Sequence, residues 1–395
     1  MEEFPNVVIR YFESRCRKVI GTPFKSSHTL HLRRLNLFNF RNYEQASIAF
    51  EGDVHCLLGK NGSGKTNLLD AIYYLSFTKS SLLATDAQNI RNGQAGFSIK
   101  GTFGPNEVLC SFQAGQKKTV RENGNDYSRL SEHIGKYPAV LIAPNDIELI
   151  WDGGEVRRRF FDSLISQVNR EYLERLITYA AHLKMRNSLL KRFAEKGNVD
   201  RDLLESCDRQ LIPCGDFISN TRHQFLATFI PCFQKHYSFL SGGPSEEVSI
   251  SYRSGTDGDP LSDALSKSLS RDIALQRTTM GAHRDDFVFQ LDGFELKRHG
   301  SQGQQKSFLI GLKLAEFDVL TSFKQFKPIL LLDDIFDKLD DDRIARLIGL
   351  VSNGSFGQLF ITDARPDRSR ELLASAGIRC ESFLVENGSL NKFQG

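Results

Sequence analysis

The chain has no apolar run approaching the roughly 18 residues that a membrane helix requires, so no membrane span is expected. Its first residues are charged and carry neither an apolar core nor a small-residue cleavage site, which argues against a secretory signal. The seven cysteines form an odd set without a C-x-x-C pair. Neither a zinc site nor a disulfide framework is suggested, and a reducing cytoplasm is the natural setting. Net charge is scarce too, +3 over 395 residues, so any basic surface must be local. Sustained heptads are missing, which excludes a long coiled coil. What the chain does have is 40% hydrophobic residues, enough for a real core shared by two or three domains.

One stretch organises the rest. Gly59-Lys60-Asn61-Gly62-Ser63-Gly64-Lys65-Thr66 matches the phosphate-binding pattern G-x-x-x-x-G-K-[ST] without a gap. An apolar run at 54–58 suits a buried strand before it, and Leu68, Leu69, Ile72 and Leu75 recur at helical spacing after it. Strand, loop and helix thus stand in the order the chemistry needs. Glycines let backbone N–H groups curl around an anion, and the helix N-terminus adds its positive dipole end. Lys65 is placed to reach the β- and γ-phosphates of a nucleoside triphosphate, and the Thr66 hydroxyl to sit on Mg²⁺.

Along the chain, residues 1–29 read as a separate N-terminal arm of mixed basic and apolar character. Alternating strands are expected from Leu30 onward, and further strands at 97–103, 108–112 and 117–122 suggest a β-rich lobe behind the loop. Asn123-Gly124 is a strong hairpin-turn pair. From 155 to about 240 glycine becomes rare and apolar residues recur every three or four, which predicts an inserted helical lobe. The division expected is therefore arm 1–29, first nucleotide-binding half 30–154, helical lobe 155–240 and second half of that domain 241–395.

The second half supplies the complement to the loop. Four aliphatic residues, Ile329 to Leu332, read as a central parallel strand that delivers Asp333 and Asp334 to the crevice at its C-terminal end. Asp333 would join the Mg²⁺ shell, and Asp334 would polarise the attacking water. Ser301-Gln302-Gly303-Gln304-Gln305-Lys306 leads into a helix. Alone it is an ordinary helix start, able to offer a hydroxyl and N–H groups to a phosphate. His283-Arg284-Asp285-Asp286 has no second histidine at ligand spacing, so a structural role is expected for it.

This ordered set resembles the ATP-binding-cassette ATPases, and Phe40-Arg41-Asn42-Tyr43 points to the branch of SMC and RecF proteins. Segments 32–43, 90–103, 144–149, 157–162, 172–191, 281–286, 301–306 and 330–340 all resemble successive blocks of the RecF family. The resemblance implies an α/β fold: a P-loop NTPase head of the cassette type, with a mixed sheet, a β-rich lobe and the inserted helical lobe. It implies ATP and Mg²⁺ as ligands, with Arg41 added to the ATP-binding set. It also implies a homodimer in which Ser301, Gln302, Gly303 and Gln304 act in trans on the ATP held by the partner's loop. Asp337 and Asp340 would lie in the segment linking the two sites, and Thr362 would stand where related transporters use a switch histidine. Asp334 in place of glutamate, and Gln302 in place of glycine, are traits of the RecF family and fit slow, regulatory hydrolysis.

The resemblance further implies double-stranded DNA and single-/double-strand junctions as partners, with RecR and RecO, and roles in recombinase loading and the SOS response. The residues themselves offer only clustering. Arg157, Arg158 and Arg159 are adjacent, and Lys184, Arg186, Lys191 and Arg192 punctuate the helical lobe as candidate phosphate contacts. Two rival readings are a cassette subunit powering a transporter, which needs a membrane partner, and a scaffold holding ATP without hydrolysing it.

Overall fold

The computed structural model describes residues 30–243, 246–337, 339–386 and 388–392. The N-terminal arm lies outside the described residues. Two compact units result: one holds 147–234 and 246–301, the other 30–146, 235–243 and 302–392. The helical unit is therefore larger than the expected 155–240, because the strands and helix of 246–301 cluster with it. Among the described residues no helix is long and apolar enough to cross a membrane.

In the nucleotide unit, β1 (Leu32–Phe40) and β2 (Tyr43–Ala49) pair antiparallel. The chain then enters β3 (Val54–Leu58), buried at every residue, and passes through the glycine loop into α1 (Lys65–Phe77). Strands β4 (Gly96–Phe103), β5 (Asn106–Gln113), β6 (Thr119–Glu122) and β7 (Asn125–Asp126) extend the first sheet in the order β2-β1-β4-β5-β6-β7. Strict alternation on β4 puts Phe97, Ile99 and Phe103 inside, as a half-buried strand should. Asn123 and Gly124 both take positive φ, 51° and 81°, the conformation a two-residue primed hairpin requires. After these comes β8 (Ala139–Ile142).

The helical unit contains α2 (Gly154–Val168), α3 (Arg170–Lys196) and most of α4 (Arg201–Ser241). Asn169 accepts a hydrogen bond from the Tyr172 N–H at the start of α3, and Gly197 ends that helix at φ 67°. Strand β9 (Val248–Arg253), helix α5 (Leu261–Ala274), and strands β10 (Asp286–Leu291) and β11 (Phe294–Glu295) complete it as a small antiparallel sheet and a helix packed on α3. Phe161 stacks on Phe287 with ring centroids 4.0 Å apart, joining helix to sheet.

The nucleotide unit resumes with α6 (Gln302–Lys324), buried on nearly all sides, polar Gln305, Ser307 and Glu316 included. Next come β12 (Ile329–Leu332), α7 (Asp341–Ser352), β13 (Leu359–Asp363), α8 (Pro366–Ser375), β14 (Glu381–Glu386) and β15 (Ser389–Lys392). The second sheet runs β15-β14-β3-β13-β12-β8. All its pairs are parallel except the β14–β15 edge. Parallel strands covered on both faces read as unbroken aliphatic runs, which is what Ile329 to Leu332 show. Since β3, β12 and β13 are neighbours in register, their C-terminal ends deliver the glycine loop, Asp333 and Thr362 to one edge.

Candidate nucleotide site

The loop is built so that its backbone, not its side chains, faces inward. Gly59, Gly62 and Gly64 adopt φ of 154°, 79° and 115°, which L side chains rarely tolerate. A Cβ at Gly59 would collide with the Val385 carbonyl, and one at Gly64 with the Asn42 amide. Lys65 is 4% exposed, and its ammonium donates to the Gly59 carbonyl at 2.8 Å and the Lys60 carbonyl at 3.1 Å. It is thereby folded over the cradle it would serve. Ser63 Oγ is buried without a hydrogen-bond partner, a polar atom whose satisfaction an anion or its hydration would supply.

Across the sheet edge lies a compact oxygen cluster. Thr66 Oγ1 donates to Asp333 Oδ1 at 2.9 Å and lies 3.1 Å from Oδ2. Thr362 Oγ1 donates to Asp333 Oδ1 at 2.8 Å and accepts from the Asp334 N–H at 2.8 Å. Burial raises the Asp333 carboxyl above its ordinary range, while the two threonine hydroxyls pull it back. A hydroxyl beside a buried carboxylate is the hard oxygen set that suits a small divalent cation. Asp334 is less buried and sits at φ 45°, a left-handed conformation rare outside glycine and concentrated at functional sites. Thr362 thus touches both aspartates.

Arg41, expected to contact ATP, makes its hydrogen bonds here within the protein. Its guanidinium donates to Asp70 at 2.5 Å, Asn67 at 2.7 Å, Ser80 at 2.8 Å and Asn89 at 3.0 Å. Burial depresses its pKa and the Asp70 carboxylate offsets this. These bonds fix α1 to the loops around it. Its neighbours do what sequence reasoning missed. Asn42 donates to the Ser63 carbonyl at 3.1 Å, Asn67 donates to Asn42 at 2.7 Å, and Tyr43 donates to the Gly64 carbonyl at 2.9 Å. Phe40-Arg41-Asn42-Tyr43 is therefore the back wall of the phosphate loop. The available signal was a polar dipeptide between two apolar strands, where a plain hairpin turn would use glycine.

Ser301 is exposed and directly precedes α6, with Gln302 exposed and Gly303 and Gln304 partly so in its first turn. Asp340 caps α7 by accepting from the Arg343 N–H at 2.9 Å. Arg343 also donates to Ser307 at 2.6 Å, tying the cap to the first turns of α6. Sequence reading passed over Arg343. Asp337 ends a single turn, Ile335–Asp337, and its side chain lies outside the described residues.

The basic residues divide sharply. Arg186 is fully buried, donating to Asp272 at 2.7 Å and Asp208 at 2.9 Å, so its guanidinium is out of reach of a phosphate and leaves the DNA set. Arg157 pairs with Asp286 at 2.9 Å, and Arg158 donates to the Asp285 carbonyl. Lys184, Lys191 and Arg192 are exposed on α3. The 283–286 cluster is structural: Asp285 is buried against Arg222 at 2.7 Å and Ser219 at 2.9 Å, and His283 lies between Tyr179 and the Thr278 carbonyl.

Comparison with known proteins matches the geometry. The family model of RecF/RecN/SMC N-terminal domains covers residues 31–382. The DNA replication and repair protein RecF of Flavobacterium johnsoniae is 43% identical over 350 residues, spanning 88% of this chain and 97% of its own. The solved structure of the recombination mediator protein RecF-ATPrS in the RecFOR pathway aligns with a TM-score of 0.82 at 29% identity, covering 93% of this chain and 100% of that one. An Smc head domain from Pyrococcus furiosus, TM-score 0.53 at 17% identity over 92% of this chain and 96% of its own, shares the fold.

Proposed function

The chain belongs to the RecF family, and from that membership we propose that it is an ATP-dependent DNA-binding protein of replication and recombinational repair. The observation that carries the reading is the Thr66–Asp333–Thr362 hydrogen-bonded triad beside the glycine loop, in which Thr66 meets an aspartate 267 positions away. Isolated phosphate loops are common; a loop whose threonine meets a strand-end aspartate is a nucleotide half-site.

In this reading Lys65 neutralises the β- and γ-phosphates, and the loop N–H groups bind their oxygens. Thr66 and Asp333 hold Mg²⁺, which when bound screens the charge of the triphosphate. Asp334 orients the attacking water, and Thr362 fixes both carboxylates relative to each other. Ser301, Gln302, Gly303 and Gln304 of a second copy close over the same ATP, so that hydrolysis needs a dimer. Asp337 and Asp340 lie in the segment that joins the two sites. Asp334 reaches one methylene less far than glutamate, which supports slow turnover. Lys184, Lys191 and Arg192 contribute sequence-independent phosphate contacts on DNA. Preference for gapped DNA and strand junctions, cooperation with RecO and RecR, recombinase loading and the SOS response are further parts of the proposal.

Sedimentation with ATP, ADP and no nucleotide is the decisive measurement. The expected result is dimer with ATP alone, and DNA retention that depends on ATP and is lost in Lys65→Ala. A chain that stays monomeric while saturated with ATP would sink the reading.

A further inference from the structure

The helical unit exposes a compact aromatic and cationic shelf immediately ahead of Ser301. Trp151, the chain's single tryptophan, ends the turn Glu148–Trp151 and is 48% exposed. Phe294 on β11 is 60% exposed, the most of any large apolar side chain among the described residues, and stands against His299 with ring centroids 5.0 Å apart. Lys297 lies 5.8 Å from the Trp151 ring centroid and donates to the Trp151 carbonyl. The single turn Leu296–His299 is anchored by Leu296, which is fully buried, so Lys297, Arg298 and His299 are presented outward. None of these groups is used by the nucleotide half-site described above. Exposed aromatics clustered with cations mark a surface that is covered in some state of the molecule.

Resting on the dimer reading above, we propose that this shelf is covered by a second copy of the chain when ATP closes the dimer, and that it seats on that copy's acidic segment. Two observations select this occupant. First, the shelf adjoins Ser301 along the chain, with only Gly300 between His299 and Ser301, so a copy that brings its ATP to Ser301 comes close to it. Second, the chain carries the matching charge. Asp340, Asp341 and Asp342 are exposed at the N-terminus of α7, opposite in sign to Lys297 and to Arg298, which within its own chain meets the exposed Glu295 at 3.4 Å. In a two-fold dimer each copy offers both patches, so every such pairing is made twice.

The tryptophan supplies its own readout. Emission is recorded on the full chain without nucleotide, with ADP and with ATP, in samples whose mass is read in parallel by sedimentation. Dimer formation accompanied by a blue shift of Trp151 emission is the expected result, absent with ADP and in Lys65→Ala. A dimer whose Trp151 emission is unchanged overturns the shelf and leaves the ATP-dimer reading standing; a persistent monomer overturns both. Charge reversal gives the second arm. Arg298→Glu should weaken ATP-driven dimerisation about tenfold, and adding Asp341→Arg to the same chain should restore most of it. Failure of the second change to restore association removes the acidic segment as occupant. Monomeric ATP affinity, read by direct titration, should hold within about twofold in both variants.

Discussion

In the nucleotide unit, charged side chains at the site are few and are held by backbone and hydroxyl groups close in space: Lys65 by two loop carbonyls, Asp333 by two threonines. In the helical unit cations abound, and the most buried are held by carboxylates. Arg186 meets Asp208 and Asp272, and Arg222 meets Asp162 and Asp285. The first arrangement leaves polar capacity open toward a ligand. The second closes it, since every donor of a buried guanidinium must find an acceptor or cost folding energy. A basic residue in a helix-rich segment is thus no guide to DNA until its burial is known.

The strongest test of this contrast is Arg186→Met. It strands Asp272, which is itself fully buried, and removing one partner of a buried pair costs on the order of 3–5 kcal/mol. Denaturant unfolding should show that loss. Unaltered stability together with weakened DNA binding would return Arg186 to the surface class and break the distinction. On the nucleotide side, Asp334→Ala should reduce hydrolysis about 10²–10³-fold, the scale of removing one oriented transition-state interaction, while ATP binding and dimerisation persist. Hydrolysis undiminished in that variant would mean that Asp334 has no part in orienting water.

One buried carboxylate in the nucleotide unit violates its own pattern and sharpens the comparison. Glu316 on α6 lies 3.6 Å from Lys313, beyond hydrogen-bond reach, while Lys313 is 3.2 Å from Asp146. Burial, partly offset by Lys313, raises the Glu316 carboxyl from 4.5 to about 7. The folded state therefore binds a proton that the unfolded state releases between those values. That stability is full below about pH 4.5 and is lost as pH rises through 7, so the folded protein gives up on the order of 3 kcal/mol across the window. Glu316→Gln should flatten the pH dependence of Tm there and raise Tm at pH 8. A steeper slope in the variant would show the ionised form to be the stabilising one.

Legibility in the sequence followed the same divide. The phosphate loop, Asp333 and the aliphatic β12 were readable because local chemistry dictates them: glycines where φ is positive, four apolar residues where both faces are buried. The Asn123-Gly124 turn was readable for the same reason. The protein partners of Arg41 were not, because Asp70 and Asn89 lie 29 and 48 residues away. Arg186 was misread because Asp272 is 86 residues distant and nothing near Arg186 hints at burial. Arg343 passed unnoticed since its link to Ser307 exists only once α6 and α7 pack. The enlargement of the helical unit through residue 301 likewise depends on β9 pairing with β10 across an intervening helix, a contact no local pattern encodes.

The smallest expected effect separates surface cations from buried ones most cleanly. Lys184, Lys191 and Arg192 are exposed along α3, and replacing an exposed charge changes stability by no more than about 0.5 kcal/mol. Deleting a cation that neutralises one phosphate should lower DNA affinity modestly and reduce the slope of log K against log salt by roughly 1. The triple variant Lys184→Ala, Lys191→Ala, Arg192→Ala should therefore unfold with the parent and bind DNA with a shallower salt slope, equally for every sequence tested. A slope identical to the parent's would place the DNA path on another face, because counterion release follows the phosphates a protein neutralises and not the total charge it carries.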